Sequence, residues 1–131
     1  MLLQMYREIV DKVSYIYKNF RFHKIIWGSY GNNPAGIIVG GCDYGIIKIY
    51  SAAKMLANDN NYLISQTDRH TGPVRALDFN PFQANLLATG ATENEIYIWD
   101  IVNTNSPMTP GARSQPLEDV QYIAWNKQGT L

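Results

Sequence analysis

The pattern of hydrophobic positions changes once along the chain, near residue 21. In the first 20 residues, apolar side chains recur at steps of three and four, which is the period of an amphipathic helix. These positions are Leu2, Met5, Tyr6, Ile9, Val13, Ile16 and Phe20. From Phe22 onward, short apolar runs alternate with glycine, asparagine and proline, a rhythm typical of strands and turns. The pattern therefore predicts a helix over residues 1–20, followed by β-structure.

Short runs rich in isoleucine, valine and tyrosine are the predicted strands, because these residues suit a pleated surface. The clearest runs are GIIVGG, GIIKIY, NYLISQ, NLLATG and EIYIWD. They follow one another closely, with no helical pattern between them. Close spacing of this kind predicts antiparallel sheet and an all-β fold class.

The β-rich part repeats itself at intervals of fewer than about fifty residues, the length of one propeller blade. VRALDFN (74–80) matches VQYIAWN (120–126), and FHKIIWG (22–28) is a weaker copy of both. The following strands repeat as IIVGG (37–41) with LLATG (86–90), and as IIKIY (46–50) with IYIWD (96–100). Tyr50 is therefore the counterpart of Trp99. Four strands in each unit predict the blades of a β-propeller.

The stretch HTGPVRALDFNPFQANLLATGATENEIYIW and the aspartate after it resemble a WD repeat. The resemblance implies a buried hydrogen-bonded chain. His70 would lie in the loop that leads into the blade, Thr89 on its second strand and Trp99 on its third, followed by Asp100. Glu93 stands in the turn where the family normally has aspartate. A neutral imidazole has one donor and one acceptor, an indole is a donor only, and a hydroxyl serves either way, so these groups can satisfy one another.

Charge and cysteine content narrow the classes of function. Eleven lysines and arginines balance eleven aspartates and glutamates, so no strong field indicates nucleic-acid binding. Cys42 is the single cysteine, which excludes an internal disulfide and a CxxC zinc motif and suits a reducing compartment. No apolar run reaches the roughly 18 residues of a membrane span. Charged residues between Arg7 and Lys12 interrupt the region that a signal peptide would need to be apolar.

An enzymatic alternative would be a hydrolase that uses His23 or His70 with Asp43 or Asp78. Such a site needs a nucleophile or metal ligands close by, and no serine lies in a nucleophile-elbow pattern. We therefore expect a non-enzymatic protein with no catalytic residue, metal, cofactor or small-molecule substrate.

Longer phrases are more specific than the WD spacing. RFHKIIWGSY, DRHTGPVRALDFNPFQANLLATGATENEIYIWD and PMTPGARSQPLEDVQYIAWN resemble the first blades of the large WD-repeat subunit of the COPII outer coat, over residues 21–128. The resemblance implies a scaffold in transport from the endoplasmic reticulum to the Golgi. It implies a location at the cytoplasmic face of exit sites and coated vesicles, with peripheral membrane association through the coat. Expected partners are the smaller outer-coat propeller protein and the inner coat, and no nucleic acid.

The predicted organisation is a WD-repeat β-propeller fragment of about two blades plus one strand, with an N-terminal helix. Residues 1–20 form a divergent segment, 21–68 the first blade, 69–118 the second, and 119–131 the first strand of a truncated third. Even four blades of about 45 residues would need roughly 180 residues, so 131 cannot close a ring. Two alternatives stay open. The chain could be a generic WD-repeat adaptor in another complex, and residues 1–20 could bind a membrane or a partner instead of packing on their own domain.

Overall fold

A computed structural model of the chain describes residues 2–19, 21–30, 33–92, 95–109 and 123–125. The helices in these ranges are α1 (Leu2–Asn19) and α2 (Ala52–Leu56). The strands are β1 (Phe22–Tyr30), β2 (Asn33–Cys42), β3 (Ile47–Ser51), β4 (Leu63–Thr67), β5 (Ala76–Phe79), β6 (Leu86–Gly90), β7 (Ile96–Asp100) and β8 (Asn103–Met108). A short 3-10 turn, Asp43–Gly45, joins β2 to β3.

The strands form two four-stranded sheets, each with its strands in chain order. The first sheet has the order β1-β2-β3-β4 and the second sheet has the order β5-β6-β7-β8. Each neighbouring pair is antiparallel. Each of the five apolar runs overlaps a strand, in chain order β2, β3, β4, β6 and β7. The predicted antiparallel fold class is confirmed, and the predicted helix is present as α1.

The strand register shows that the two sheets are structural repeats of each other. In each sheet, one residue on each of the first three strands lies side by side with the others, and the three positions in one sheet are equivalent to the three in the other. They are Trp27, Ile38 and Tyr50 in the first sheet, and Phe79, Leu87 and Trp99 in the second. The equivalence of Tyr50 and Trp99 agrees with the sequence repeat, and it extends along the paired residues of the first three strands of each sheet.

One face of the first sheet packs on the second sheet. Because side chains alternate between the two faces of a strand, every second residue of β2 and β3 points the same way. On this face they are Ile37, Val39, Ile47 and Ile49, and each is at most 2% exposed. They form one core with residues of the second sheet and its flanks, namely Val74, Leu77, Leu87, Ala91, Trp99 and Ile101. The main core of the molecule therefore lies between the sheets.

The opposite face of the first sheet is covered by α1 together with α2, which contributes the buried Ala52 and Met55 to the same cluster. Ile9 and Val13, one helical turn apart, lie on the packed side of the helix, and Ile9 is fully buried. Lys12 Nζ on the exposed side donates to Asn58 Oδ1 at 2.8 Å. The helix thus packs on its own domain. Across the described ranges, no helix combines the length and hydropathy that a bilayer crossing requires.

A third segment contacts the outer face of the second sheet. Ile123 and Trp125 form a small apolar cluster with Ala76 and Ala88. Trp125 also donates its backbone N–H to Asp78 Oδ2 at 2.8 Å and its indole N–H to Asp78 O at 3.1 Å. The remainder of the strand predicted over 119–131 lies outside the described residues, and the predicted domain limits stay predictions.

Candidate functional site

The best-defined polar site is a buried network centred on His70, in the loop between β4 and β5. This loop lies on the first sheet, since Val74 N donates to Cys42 O at 3.0 Å. Gly45 makes the contact possible. Its φ of +75° favours glycine, and a Cβ on it would lie 1.7 Å from His70 O. The β2–β3 turn of one sheet therefore positions the histidine that enters the other.

The network links the loop to the second and third strands of the second sheet. His70 Nε2 lies 2.6 Å from Thr89 Oγ1 on β6, and His70 Nδ1 lies 2.7 Å from Glu95 Oε1, just before β7. Trp99 Nε1 on β7 donates to the same Thr89 hydroxyl at 2.8 Å. Thr71 N donates to Glu95 Oε1 at 2.9 Å. Three separate segments are thereby fastened at one point.

The hydrogen-bond chemistry assigns one consistent set of protons. An ionised Glu95 carboxylate can only accept, so His70 Nδ1 carries the proton that it donates. In a neutral imidazole Nε2 is then an acceptor, and the Thr89 hydroxyl donates to it. Thr89 Oγ1 still has a lone pair for the indole N–H of Trp99. Among the described residues, every buried side-chain nitrogen and oxygen has a hydrogen-bond partner.

Burial keeps His70 neutral. Desolvation lowers the pKa of His70 below its ordinary value of 6.5, while the hydrogen bond and the charge of Glu95 oppose this effect. The Tyr97 ring packs against the imidazole with a centroid distance of 4.7 Å. His70 is 3% exposed, so its ring is shielded from a substrate in solution. The arrangement therefore fixes a loop and does not offer a base to a reaction.

The structure brings together three of the five predicted network residues, His70, Thr89 and Trp99. Glu93 lies outside the described residues, and the carboxylate that contacts His70 belongs to Glu95, which the WD pattern does not predict. Glu95 adjoins β7, and its backbone closes the turn by bonding with Ala91 and Thr92. The sequence signal that could identify Glu95 is its position directly before the predicted strand that follows the one with Thr89.

Asp100 lies apart from His70, at the turn between β7 and β8. Its Oδ1 accepts from Val102 N at 3.1 Å and from Asn85 Nδ2 at 3.3 Å. Both bonds hold local turns: Asn85 directly precedes β6 and Val102 directly precedes β8. The contacts of Asp100 therefore shape the end of β7, apart from the buried chain.

Among the described residues, the positions of the first sheet equivalent to Thr89 and Trp99 do not carry such a network. Gly40 replaces Thr89, and Tyr50 replaces Trp99. The Phe22 ring lies over Gly40, where an added Cβ would be 2.1 Å from Phe22 Cε1. Tyr50 packs edge-on to the same ring, with centroids 6.3 Å apart. Apolar packing thus substitutes for hydrogen bonds in the first sheet.

The residues of the hydrolase alternative are only partly brought together. His23 Nε2 lies 2.6 Å from Asp43 Oδ1 at the surface, whereas Asp78 holds Trp125. The sole thiol, Cys42, is buried, and desolvation raises its pKa to about 11, which keeps it protonated and unreactive. The described ranges contain no group of three or more potential metal ligands.

Antiparallel four-stranded sheets packed face to face, one of them fastened by a His–Thr–Trp network, define a WD-repeat β-propeller protein. The chain belongs to the Sec31 family of protein transport proteins, and its resemblance to the large WD-repeat subunit of the COPII outer coat is confirmed. No protein-family model matches it.

Two Sec31 relatives and one solved structure support this assignment. The chain is 53% identical to Sec31A of Gallus gallus over 112 residues, covering 82% of this chain and 9% of the relative. It is 43% identical to SEC31 of Mycosarcoma maydis over 112 residues, covering 82% of this chain and 8% of that relative. A chain in the COPII outer coat vertex on membranes is 30% identical, with a TM-score of 0.65, and the match covers 83% of this chain and 28% of that chain. The chain therefore spans about a tenth of the length of these curated relatives.

Proposed function

We propose that the chain acts as a non-enzymatic scaffold of the COPII vesicle coat in transport from the endoplasmic reticulum to the Golgi. The match to a chain of the outer coat vertex, with a TM-score of 0.65 over 83% of this chain, is the observation that carries the proposal. The Sec31 relatives, which are named protein transport proteins, support the same assignment.

The chemistry of the described residues supports a scaffold role. The best-defined polar groups, His70, Thr89, Glu95 and Trp99, bond with one another and so hold strands in place. A scaffold of this kind acts through many weak contacts, whose combined strength depends on geometry and not on any single bond. A rigid blade is what such contacts require.

The proposed partners are the smaller outer-coat propeller protein and the inner coat. The proposed location is the cytoplasmic face of exit sites on the endoplasmic reticulum and of coated vesicles. Membrane association would be peripheral, through the coat. Support comes from the solved structures that match the chain, which include the outer coat vertex and the COPII coat assembled on membranes.

Reconstituted coats test this function. The chain, carrying a fluorescent tag, is added to liposomes with purified inner and outer COPII proteins, and the membranes are floated on a gradient. We expect the chain to float with coated liposomes and to stay behind with bare liposomes or with the inner coat omitted. A folded chain that stays in solution beside fully coated membranes would contradict the proposal and favour an adaptor role elsewhere.

A further inference from the structure

The turn between β2 and β3 holds a tyrosine in a backbone conformation that tyrosine rarely adopts. Among the described residues, four have a positive φ, namely Gly36, Gly45, Asn58 and Tyr44. Glycine and asparagine enter this left-handed region readily, whereas in tyrosine the Cβ crowds the backbone. Tyr44 lies in the middle of the region, with φ 62° and ψ 24°. Its backbone is therefore strained.

The geometry of the hairpin imposes this conformation on position 44. Cys42 N donates to Ile46 O at 2.8 Å, and Ile46 N donates to Asp43 O at 3.3 Å, which closes a tight turn around Tyr44 and Gly45. Hairpin turns with a positive φ at both central residues favour asparagine or aspartate followed by glycine. Gly45 agrees with this preference and Tyr44 does not. The fold alone would therefore be served better by asparagine than by Tyr44.

Packing within the chain does not compensate for the strain. The Tyr44 side chain is 80% exposed, more than any other large hydrophobic side chain among the described residues. Strained residues of this kind cluster at functional sites. Tyrosine is also one of the residues that contribute most to binding at protein interfaces. Tyr44 thus has the placement and the chemistry of a contact residue.

The turn that carries Tyr44 is held from two sides. Asp43 Oδ1 lies 2.6 Å from His23 Nε2 on β1. On the other side, Gly45 lies so close to His70 O that an added Cβ would be 1.7 Å from it. A side chain on a rigid backbone requires less ordering on binding than one on a mobile loop. The turn therefore presents the Tyr44 ring in a fixed place.

An exposed arginine lies next to this turn. Arg21 directly precedes β1, its side chain is 87% exposed, and its Nη1 lies 4.0 Å from Asp43 Oδ2. At that distance and exposure the guanidinium keeps donors for a carboxylate, which it can bind with two parallel hydrogen bonds. An anionic membrane surface attracts clusters of basic residues, whereas Arg21 has an acid beside it. Tyrosine and arginine in this setting favour a protein partner.

We propose that Tyr44 and Arg21 form a contact site for a protein partner, which we call the Tyr44 site. The partner surface that fits it has an apolar pocket for the tyrosine ring and a carboxylate at the rim to pair with Arg21. This inference deepens the proposed coat function and rests on it, since the partner is a neighbouring protein in the assembled coat.

The variant Tyr44→Asn separates binding from folding, because it should change the two in opposite directions. Asparagine relieves the backbone strain, so Tm should rise by about 2–5 °C. The variant also lacks the ring. In flotation with coated liposomes, the chain concentration that gives half-maximal binding should therefore rise at least about tenfold. A residue that served only the fold would not combine higher stability with weaker binding.

Two further variants accompany this measurement. Arg21→Glu places a like charge opposite the expected carboxylate, so half-maximal binding should need an at least about threefold higher concentration. The matched control is Phe82→Asn. Phe82 is 67% exposed on the loop between β5 and β6, at the opposite end of the sheets, and its φ is not positive. Its replacement should leave both Tm and flotation close to those of the unaltered chain.

The outcomes distinguish the contact site from the coat function. If the unaltered chain does not float with coated liposomes, the coat function fails, and the inference fails with it. If the unaltered chain floats and Tyr44→Asn or Arg21→Glu floats equally well, only the Tyr44 site is overturned. Loss of flotation together with a lower Tm for Tyr44→Asn would make Tyr44 a structural residue. Flotation with bare liposomes that Tyr44→Asn abolishes would show a lipid partner and overturn the proposed protein contact.

Discussion

At the scale of single residues, Thr89 is central to the buried network, because its one hydroxyl forms hydrogen bonds with two buried partners. Replacing it with valine keeps the shape and leaves His70 Nε2 and Trp99 Nε1 without a partner. Each orphaned group costs about 1–3 kcal/mol. We therefore expect Thr89→Val to lower the free energy of unfolding by about 2–6 kcal/mol in urea titrations. The matched control, Thr67→Val on the edge strand β4, should change it by less than about 0.5 kcal/mol. Equal effects would mean that the network does not stabilise the blade.

The lowered pKa of His70 makes stability depend on pH. In the unfolded chain this histidine takes up a proton near pH 6.5, and in the folded chain it does so only at lower pH. Its contribution is therefore fully present above pH 6.5 and is lost as the pH falls through the folded pKa. We expect a plot of unfolding free energy against pH to fall below pH 6.5 more steeply for the unaltered chain than for His70→Gln. Parallel curves would exclude this linkage.

The sequence predicts three network residues, His70, Thr89 and Trp99, because their types and spacing follow the WD pattern. Each of them lies on the loop or strand that this pattern assigns to it. Type and spacing do not identify the acidic residue, since the sequence offers two glutamates, Glu93 and Glu95, two positions apart. Only the backbone path of the turn decides which carboxylate reaches the imidazole. The contacts of Asp100 likewise depend on the turn after β7, because a residue at the end of a strand can face either the sheet or the loop.

At the scale of elements, the two sheets use different chemistry at the same positions. The second sheet joins Thr89 to Trp99, whereas the first places the Phe22 ring over Gly40. A strand glycine that has no need of a positive φ lowers the stability of the strand, so here it must serve packing. The Phe22 ring and the missing side chain of Gly40 are therefore a matched pair.

This pairing predicts that the effect of Gly40→Ala on stability depends on the residue at position 22. Gly40→Ala alone should cost about 1–3 kcal/mol, because its Cβ would meet the ring and the core cannot accommodate both. In a Phe22→Val background, which carries the residue found at the equivalent Val74, the same change should be neutral or stabilising by up to about 1 kcal/mol. Thermal unfolding of the unaltered chain, the two single variants and the double variant completes a double-mutant cycle. Additive effects would show that ring and glycine are independent.

Elements with strong periodicity were predictable, and the others were not. The runs of isoleucine and leucine in β2, β3, β6 and β7 identify buried central strands. Helix α2 is only five residues long, too short to show a period, and the Ser51 hydroxyl that caps it, accepting from Lys54 N at 3.2 Å, is a common turn feature. Strand β8, NTNSPM, is polar and contains proline, which fits an edge strand but resembles a loop. The period of α1 predicts its existence, but the surface that it covers depends on the tertiary fold.

At the scale of the whole molecule, stability depends on the interface between the two sheets. The faces of the two sheets that pack together contribute to one hydrophobic cluster, which includes Val39, Ile49, Leu87 and Trp99. A small domain buries a limited fraction of its surface, so sharing one core couples the two sheets. The two blades should therefore unfold together, although their polar networks differ.

Leu87→Ala tests this coupling. Leu87 is fully buried on β6, and its loss should lower the free energy of unfolding by about 2–5 kcal/mol. Because the core is shared, hydrogen exchange measured by NMR should become faster by the same factor for the slowest amides of β3 and of β6. The control Leu63→Ala, at a site 44% exposed on β4, should change either rate little. Faster exchange in β6 with β3 unchanged would show that each blade unfolds alone, and that the contact between neighbouring blades adds little to the stability of either.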